Sequence, residues 1–555
     1  MKKYFIYIFC IVILAASAPR IILPVAAINI IAPTPRATSV ITTPMQEALW
    51  ISPAVPPKLV DLARTWSIAT TNNSILATNK LDVAKDSPGA LWIYALTAPF
   101  ATVTDDVTFQ DLLATWKGVP TGSFSGHGFL MAESTLEAFT TLWGEPASGA
   151  VTIAPSDELM DLAWNTSAWA IIPFEDIQPK WKVLAVDGQS PIHKNFDAGV
   201  YPLKINFGLS NLIASALPES NRDASKLTTV ILTGVTALVR ATAVTMEIKG
   251  MTYPGSLIGD WLREADVTHI SNEVTLDKNC PVPSASYTNF ILCSEPKYLE
   301  LFLSVGADVI ELSGDHLMDR GANALLDTLS LYKNNNLLFY GGGINANDAK
   351  QPLLMEVNGN KIALMGCNGK KNYPKASDTS PGPANCDYDF FVKQIKEVKA
   401  QGYMVIFTFQ HEECYFSGPC YSQEEGFRKV ADAGAIIVSG SQAHFPHIME
   451  FRGDSFIHYG LGNLFFDQMT YILPDGKVID GTRREFLDRH VFYDGRYLGT
   501  ELLTAMLEDY SRPRPMTKPE RASFLTEYFY LSGWTPFTSP PILQPTVTLT
   551  PIALP

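Results

Sequence analysis

Four stretches of the chain repeat one pattern: a small residue, an unbroken apolar run, then a group of polar residues. They are EADVTHISNE (264–273), GADVIELSGDH (306–316), GYMVIFTFQHEE (402–413) and GAIIVSGSQAHFPH (434–447). Apolar runs without polar alternation, separated by helix-length spacers, predict mostly parallel strands buried on both faces. Ligands of such sheets bind beyond the carboxyl ends of the strands. The pattern therefore brings Asn272, Glu273, Asp315, His316, His411, Glu412, Glu413, His444 and His447 to one edge, and four of the nine histidines are among them. After SGDHLMD, the residues Ala322, Leu325, Leu326 and Leu329 recur at helical spacing, so a helix is expected to start close to Asp315 and Asp319.

These strands fall in a block spanning 227–470. An earlier block, 47–215, alternates short apolar runs (Ala90 to Tyr94, Val151 to Ile153, Trp169 to Ile172, Val183 to Val186) with helix-like stretches such as Phe109 to Trp116 and Ser134 to Trp143. Both blocks read as α/β. Residues 471–538 form a C-terminal extension, in which Asp494-Gly495 between apolar flanks predicts a hairpin and PERASFLTEYFYLSGW predicts an amphipathic helix packing back on the domain. The Pro/Thr-rich stretches at 32–46 and 539–555 read as a tether and a structureless tail.

The N-terminus narrows the compartment. Lys2 and Lys3 precede an apolar run from Tyr4 to Ala16, followed by the small residues Ala16-Ser17-Ala18, the form of an export signal. Pro19 is a poor residue to follow a cleavage point, and the apolar stretch Ile21 to Ile31 leaves an uncleaved membrane anchor within 1–31 open. An extracytoplasmic, envelope-associated protein is expected in either case. Beyond the signal the chain has six cysteines, and neighbours in sequence close the shortest loops, predicting Cys280–Cys293, Cys367–Cys386 and Cys414–Cys420. A net charge of −14 leaves no basic stripe to neutralise phosphates, which argues against nucleic acid as a partner.

The residue types at the strand ends carry a chemistry. Carboxylate oxygens and imidazole nitrogens together hold Zn, Mn or Fe with positions left open for water. A divalent ion so held activates water toward a phosphoryl or acyl centre, and a neighbouring histidine off the metal can protonate the leaving group. Taken singly, Asp315 as a helix cap, Asp319 in a first helical turn and His444 as a loop histidine have structural explanations. Four strand ends converging on the same residue types favour a site. Arg240 and Arg320 have the chemistry to pair with a carboxylate or phosphate, with surface salt bridging as the default alternative.

The second block resembles the CapA family of poly-gamma-glutamate (capsule) synthesis proteins. The family's landmarks GDxML, NLE, NHxxDxG, HWGxEY, GxHPH and SLGNFxFD have counterparts here. They are TGVTALVR (233–240), SNEV (271–274), SGDHLMDRG (313–321), FQHEECY (409–415), GSQAHFPH (440–447) and YGLGNLFFDQ (459–468). The resemblance implies a metallophosphatase-like α/β sandwich. It implies Glu273, Asp315, His411 and His444 as metal ligands and His316 as general acid. Asn272, Asp319, Arg320, Glu412, Glu413, His447 and Asn463 would stand behind them or touch substrate. Two positions depart from the family pattern: Val235 stands where the first Asp is expected, and Gln442 where the first His of GxHPH is expected. The implied partner is an anionic polymer, a phosphoester or a small anion. In the first block, WAIIPFEDIQPKWKVLAVDGQSP followed by Tyr201-Pro202-Leu203 resembles the closing part of periplasmic type 2 solute-binding domains.

Overall fold

A long, almost wholly buried strand, Ala90–Pro99, forms the spine of the first block in the computed structural model, which describes residues 47–84, 89–125, 128–210, 217–286 and 290–536. The expected export signal and tether at 1–46, and the tail at 539–555, lie outside these residues. Around the spine a mixed sheet runs in the order Ala69–Thr70, Ala48–Ile51, Asn79–Val83, Lys204–Leu209, Ala90–Pro99, Trp169–Pro173, Phe129–Met131, Val151–Ile153, and Trp181–Val186 pairs beside the spine. Helices Phe109–Trp116 and Glu133–Trp143 cover it, the first capped by the Thr108 hydroxyl accepting from the Asp111 amide at 3.1 Å. Tyr201 and Leu203 are fully buried in this core, so the Tyr-Pro-Leu segment is packing material.

The second block stacks two sheets. One runs Leu338–Tyr340, Val309–Glu311, Val267–Asn272, Leu227–Leu232, Arg484–Tyr493, Arg496–Glu508, Arg512–Pro515. The other runs Leu353–Val357, Asn360–Asn368, Met404–Gln410, Ala435–Ser439, Ser455–His458, Met449–Arg452. The consecutive strands from 227 to 340, and those from 360 to 458 apart from the edge strand Met449–Arg452, pair in parallel. Between the sheets lie Val230, Val267 and Val309 from one and Ile362, Ile406 and Ile437 from the other. Helices Arg240–Lys249, Leu299–Ser304 and Gly321–Asn334 cover the outer face of the first sheet, and Tyr388–Ala400 and Tyr421–Ala433 that of the second. This is an α/β sandwich, and double-sided burial explains why its strands are continuously apolar.

The sequence pattern placed the four polar strand ends on one edge. They instead come two from each sheet, and they meet because both sheets present their carboxyl ends on the same side. Apolar periodicity reports burial, and it does not say which strands pair.

The C-terminal extension is built into this domain. Strand Arg484–Tyr493 pairs with Leu227–Leu232 over Leu227↔Tyr493 to Leu232↔Asp488, and Asp494-Gly495, both at positive φ, turn it into Arg496–Glu508. The two blocks also interlock. Phe100, at the end of the first block's spine, enters the second block's core against Phe451, Phe456, Trp534 and Phe529, with centroids 5.1–6.1 Å away. In return Leu227, Val491 and Tyr493 pack in the first block's core. The three expected disulfides, Cys280–Cys293, Cys367–Cys386 and Cys414–Cys420, are formed. Among the described residues no helix is long and apolar enough to cross a membrane.

Candidate metal centre

Glu273 follows the strand Val267–Asn272 directly, and the loop after Val309–Glu311 folds against it. Gly314 makes this approach feasible: a Cβ there would lie 2.6 Å from the Glu273 Cα. Asp315 and His316, in the short 3-10 turn Asp315–Met318, are thereby set beside Glu273, and one ligand atom from each of the three lies within 4.8 Å of the others. From the opposite sheet His444 brings Nε2 to 3.6 Å from Glu273 Oε1.

Each imidazole is held from behind through Nδ1. Asn463 donates its amide to the carbonyl oxygens of Thr482 (3.0 Å) and His444 (3.3 Å), so its Oδ1 accepts from His444 Nδ1 at 2.8 Å. His316 Nδ1 donates to Asp319 Oδ2 at 2.7 Å, and the same oxygen accepts the Leu292 amide at 2.7 Å. In both rings Nε2 is left to face the carboxylates. A carboxylate or amide fixing the far nitrogen is the usual arrangement behind a metal-binding histidine.

Burial opposes ionisation of Glu273, but His444 and His316 beside it outweigh burial and hold its carboxyl down at about 2. Burial and the neighbouring Glu273 push Asp315 up, against Lys370. Burial would lower both histidines; Asp319 and the adjacent carboxylates lift His316 to about 9, and Glu273 lifts His444 to about 9. Burial likewise opposes ionisation of Glu413, and the charges of His444 and Lys370 bring it below its usual value.

Other residues expected at the site are placed elsewhere. His411 does not join the ligand set. Gln410 ends the strand Met404–Gln410 with its amide 3.3 Å from Asp315 Oδ1, and the alternation of side chains along the chain turns His411 into a separate cleft beside Gly369, Asn385, Glu412 and Lys429. There burial lowers its pKa. Glu412 accepts the Lys371 amide on the exposed rim. His447 is buried and donates to the Cys414 carbonyl at 3.0 Å, holding the loop of the third disulfide. Asn272 turns back to the Val274 carbonyl and the Tyr332 hydroxyl. Arg320 pairs with Asp277 at 2.9 Å and Arg240 with Asp467 at 2.5 Å.

Two features escaped the sequence reading. Lys370 follows strand Asn360–Asn368 and places Nζ against both Asp315 and Glu413, almost entirely out of solvent. Under the site lies Glu311, 0% exposed, which binds Ser271 (2.9 Å) and Ser313 from its own sheet and Thr408 (2.8 Å) and Ser441 from the other, with His269 Nε2 at 3.2 Å. Burial opposes its charge, and His269 and the hydroxyls more than offset that. Gln442 joins this net by donating to Ser271 at 2.7 Å, and Val235 is a fully buried strand residue. Both positions that depart from the family pattern are thus filled by structure without metal-binding groups.

Glu273 decides whether the remaining residues suit a cation. Both its carboxylate oxygens are buried without a hydrogen bond of normal length, and only the longer ion pair with His444 Nε2 at 3.6 Å faces Oε1, although buried polar atoms are nearly always satisfied. Two such anionic oxygens facing two tethered imidazoles and Asp315 match the donor set of one divalent ion.

Residues 229–468 match the family described as "Bacterial capsule synthesis protein PGA_cap". The chain is 26% identical over 258 residues to "Capsule biosynthesis protein CapA" of Bacillus anthracis, covering 45% of this chain and 62% of that protein. It is 28% identical over 203 residues to "PGA biosynthesis protein CapA" of Bacillus subtilis, covering 36% of this chain and 52% of that protein. The match thus spans between half and two thirds of these relatives. Among solved structures, an ABC-type phosphate transport receptor from Vibrio cholerae aligns at a TM-score of 0.26 and 15% identity, over 30% of this chain and 89% of the receptor. A 5'-nucleotidase precursor from Thermus thermophilus aligns at a TM-score of 0.29 and 14% identity, over 55% of this chain and 58% of the nucleotidase. Likeness at that level carries no argument about function.

Proposed function

Because residues 229–468 form a domain of the bacterial capsule synthesis family PGA_cap, we propose that the chain is an exported protein of capsule-type anionic polymer synthesis or processing, of the poly-gamma-glutamate kind, and a metal-dependent hydrolase. Its working centre is the Glu273–Asp315–His316–His444 cluster. The observation that carries this reading is the pair of buried oxygens on Glu273, neither of which has a hydrogen bond of normal length. Glu273, Asp315 and His444 would hold one divalent ion (Zn, Mn or Fe), which when bound polarises a phosphoryl or acyl oxygen and activates water. Asn463 keeps the proton on His444 Nδ1 and so presents the lone pair of Nε2. Asp319 likewise fixes the His316 ring, which is partly exposed, and its raised pKa keeps a proton available on Nε2 for a leaving group near neutral pH. Export is supported by three disulfides, which persist in oxidising compartments.

Elemental analysis of the purified full chain, after reconstitution with each metal, tests the proposal. Wild type should retain one equivalent, and Glu273→Gln and Asp315→Asn should lose it together with metal-dependent turnover of phosphoesters or acidic polymer. A wild type that retains none overturns the catalytic reading.

One observation favours a second reading. Val235 and Gln442 remove an expected carboxylate and imidazole, leaving a centre suited to a non-catalytic envelope protein that binds a small anion or polymer end. A thermal-shift series with oxyanions and short acidic oligomers separates the two, because a binder is stabilised without any turnover.

A further inference from the structure

The acidic cluster is divided in two by the lysine the sequence reading missed. On one side Glu273 has both oxygens without a hydrogen bond of normal length and faces the two imidazoles. On the other, each oxygen of Asp315 and Glu413 already accepts one hydrogen bond and keeps a second lone pair. Asp315 takes the Lys370 ammonium on Oδ2 and Gln410 on Oδ1, and Glu413 takes the same ammonium on Oε1 and the Tyr415 hydroxyl on Oε2 at 2.9 Å.

The lysine is fixed in place. Its side chain is 8% exposed and lies over the Tyr373 ring at 4.7 Å. Its backbone amide donates to Asn368 Oδ1 at 2.9 Å, while the Asn368 amide donates to the Ser313 carbonyl at 2.8 Å, two residues before Asp315. Lys375 reaches back to the Lys370 carbonyl at 2.8 Å. One asparagine therefore sets the lysine loop and the aspartate loop against each other. A long, flexible side chain is not immobilised in this way without loss of rotamer entropy, which the two charge-assisted contacts offset.

We propose that Lys370 is a resident cation of this centre: its ammonium fills the place between Asp315 and Glu413 that would otherwise accept a divalent ion, and it limits the cluster to a single ion at Glu273. The inference rests on reading the cluster as a cation site. Asp315 is buried, and a buried carboxylate needs a counter-charge; an ammonium supplied by the chain meets that need permanently, independent of metal supply, with the partly exposed Glu413 as its second partner. Lys370 is a positioning residue in this account. It holds Asp315 beside Glu273 and is not itself placed on the reacting atoms.

The test is metal stoichiometry, measured by calorimetry with Mn2+ and by elemental analysis on the full chain, for wild type, Lys370→Ala and Lys370→Gln. Folding is checked by circular dichroism and thermal melting. Wild type is expected to bind at most one equivalent, and each folded variant to bind one more than wild type. A wild type that binds two equivalents, or a folded variant whose capacity equals that of wild type, overturns the proposal. If wild type binds none and Lys370→Ala binds one, the proposal on Lys370 stands while the single-metal reading of the native centre fails. Should neither variant fold, electron paramagnetic resonance of the Mn2+-loaded wild type decides: isolated mononuclear ions are expected, and a spin-coupled pair overturns the inference.

Discussion

Asp319 holds His316 from one turn further along the chain, with Oδ2 2.7 Å from the ring's Nδ1 and the same oxygen 2.7 Å from the Leu292 amide. The orientation of His316 is therefore set jointly by its own turn and by the loop that Cys280–Cys293 closes. Replacing Asp319 by Ala should lower the His316 pKa from about 9 toward its ordinary value. Because His316 is proposed to act as the general acid off the metal, metal affinity should change little while metal-dependent turnover falls by about 10²–10⁴-fold. NMR titration of the imidazole, metal calorimetry and turnover assays check this. An unchanged His316 titration in the folded variant would rule out an orienting role for Asp319.

The Glu273–His444 pair makes the metal-free protein pH-sensitive in a defined direction. His444 holds its proton up to about 9 in the folded chain, against a usual value of 6.5, so the stability it adds is complete below 6.5 and lost as pH rises through about 9. Glu273 titrates at about 2 against a usual 4.5, so its contribution is complete above 4.5 and lost as pH falls through about 2. The pair therefore contributes most between pH 4.5 and 6.5. Raising the pH to 9 should remove on the order of 2–3 kcal/mol. Thermal melts of chelated wild type and His444→Gln should show a shallower alkaline decline in the variant; parallel declines would refute the assignment.

Replacing Cys280 and Cys293 by Ser opens a loop of sequence separation 13. Loop closure of that size contributes roughly 3 kcal/mol on the chain-entropy account. Because Leu292 anchors Asp319, the double variant should also lower the His316 pKa toward its ordinary value. Urea unfolding and NMR titration of the imidazole test the two effects. Lost stability with an unchanged His316 titration would show that the loop does not reach the centre.

Phe100 joins the two blocks, 2% exposed and ringed by Phe451, Phe456, Phe529 and Trp534. Phe100→Ala should cost about 3–5 kcal/mol. It should also split a shared thermal transition in two, as scanning calorimetry would show. A single, unshifted transition would mean that the ring contributes nothing to the coupling.

Much of the centre was legible because burial and chemistry coincide in the sequence. Continuous apolar runs announced the parallel strands, and the polar residues after them included Glu273, Asp315, His316 and His444. His411 misled because it is adjacent in sequence to the residue that reaches the site. The side-chain alternation that carries Gln410 to Asp315 carries His411 away. Lys370 was missed although KIALMGCNGK (361–370) follows the same rule of apolar run and polar exit. A lysine is not a metal ligand in the usual sense, and only the fold shows it between two carboxylates. Glu311 ends its strand among small hydroxyl residues that look unremarkable singly; its partners come from both sheets.

The pairing of Leu227–Leu232 with Arg484–Tyr493 has a temporal consequence. A ribosome releases Leu227 long before Tyr493, so the first strand of the second block waits with one edge unpaired until Arg484–Tyr493 has emerged. Contacts this distant along the chain slow folding, and open strand edges invite association with other chains. Closure of this sheet is thus expected to await synthesis of Arg484–Tyr493. Because that sheet also presents Glu273 and Asp315, the cluster proposed to hold a metal is expected to form only after that closure.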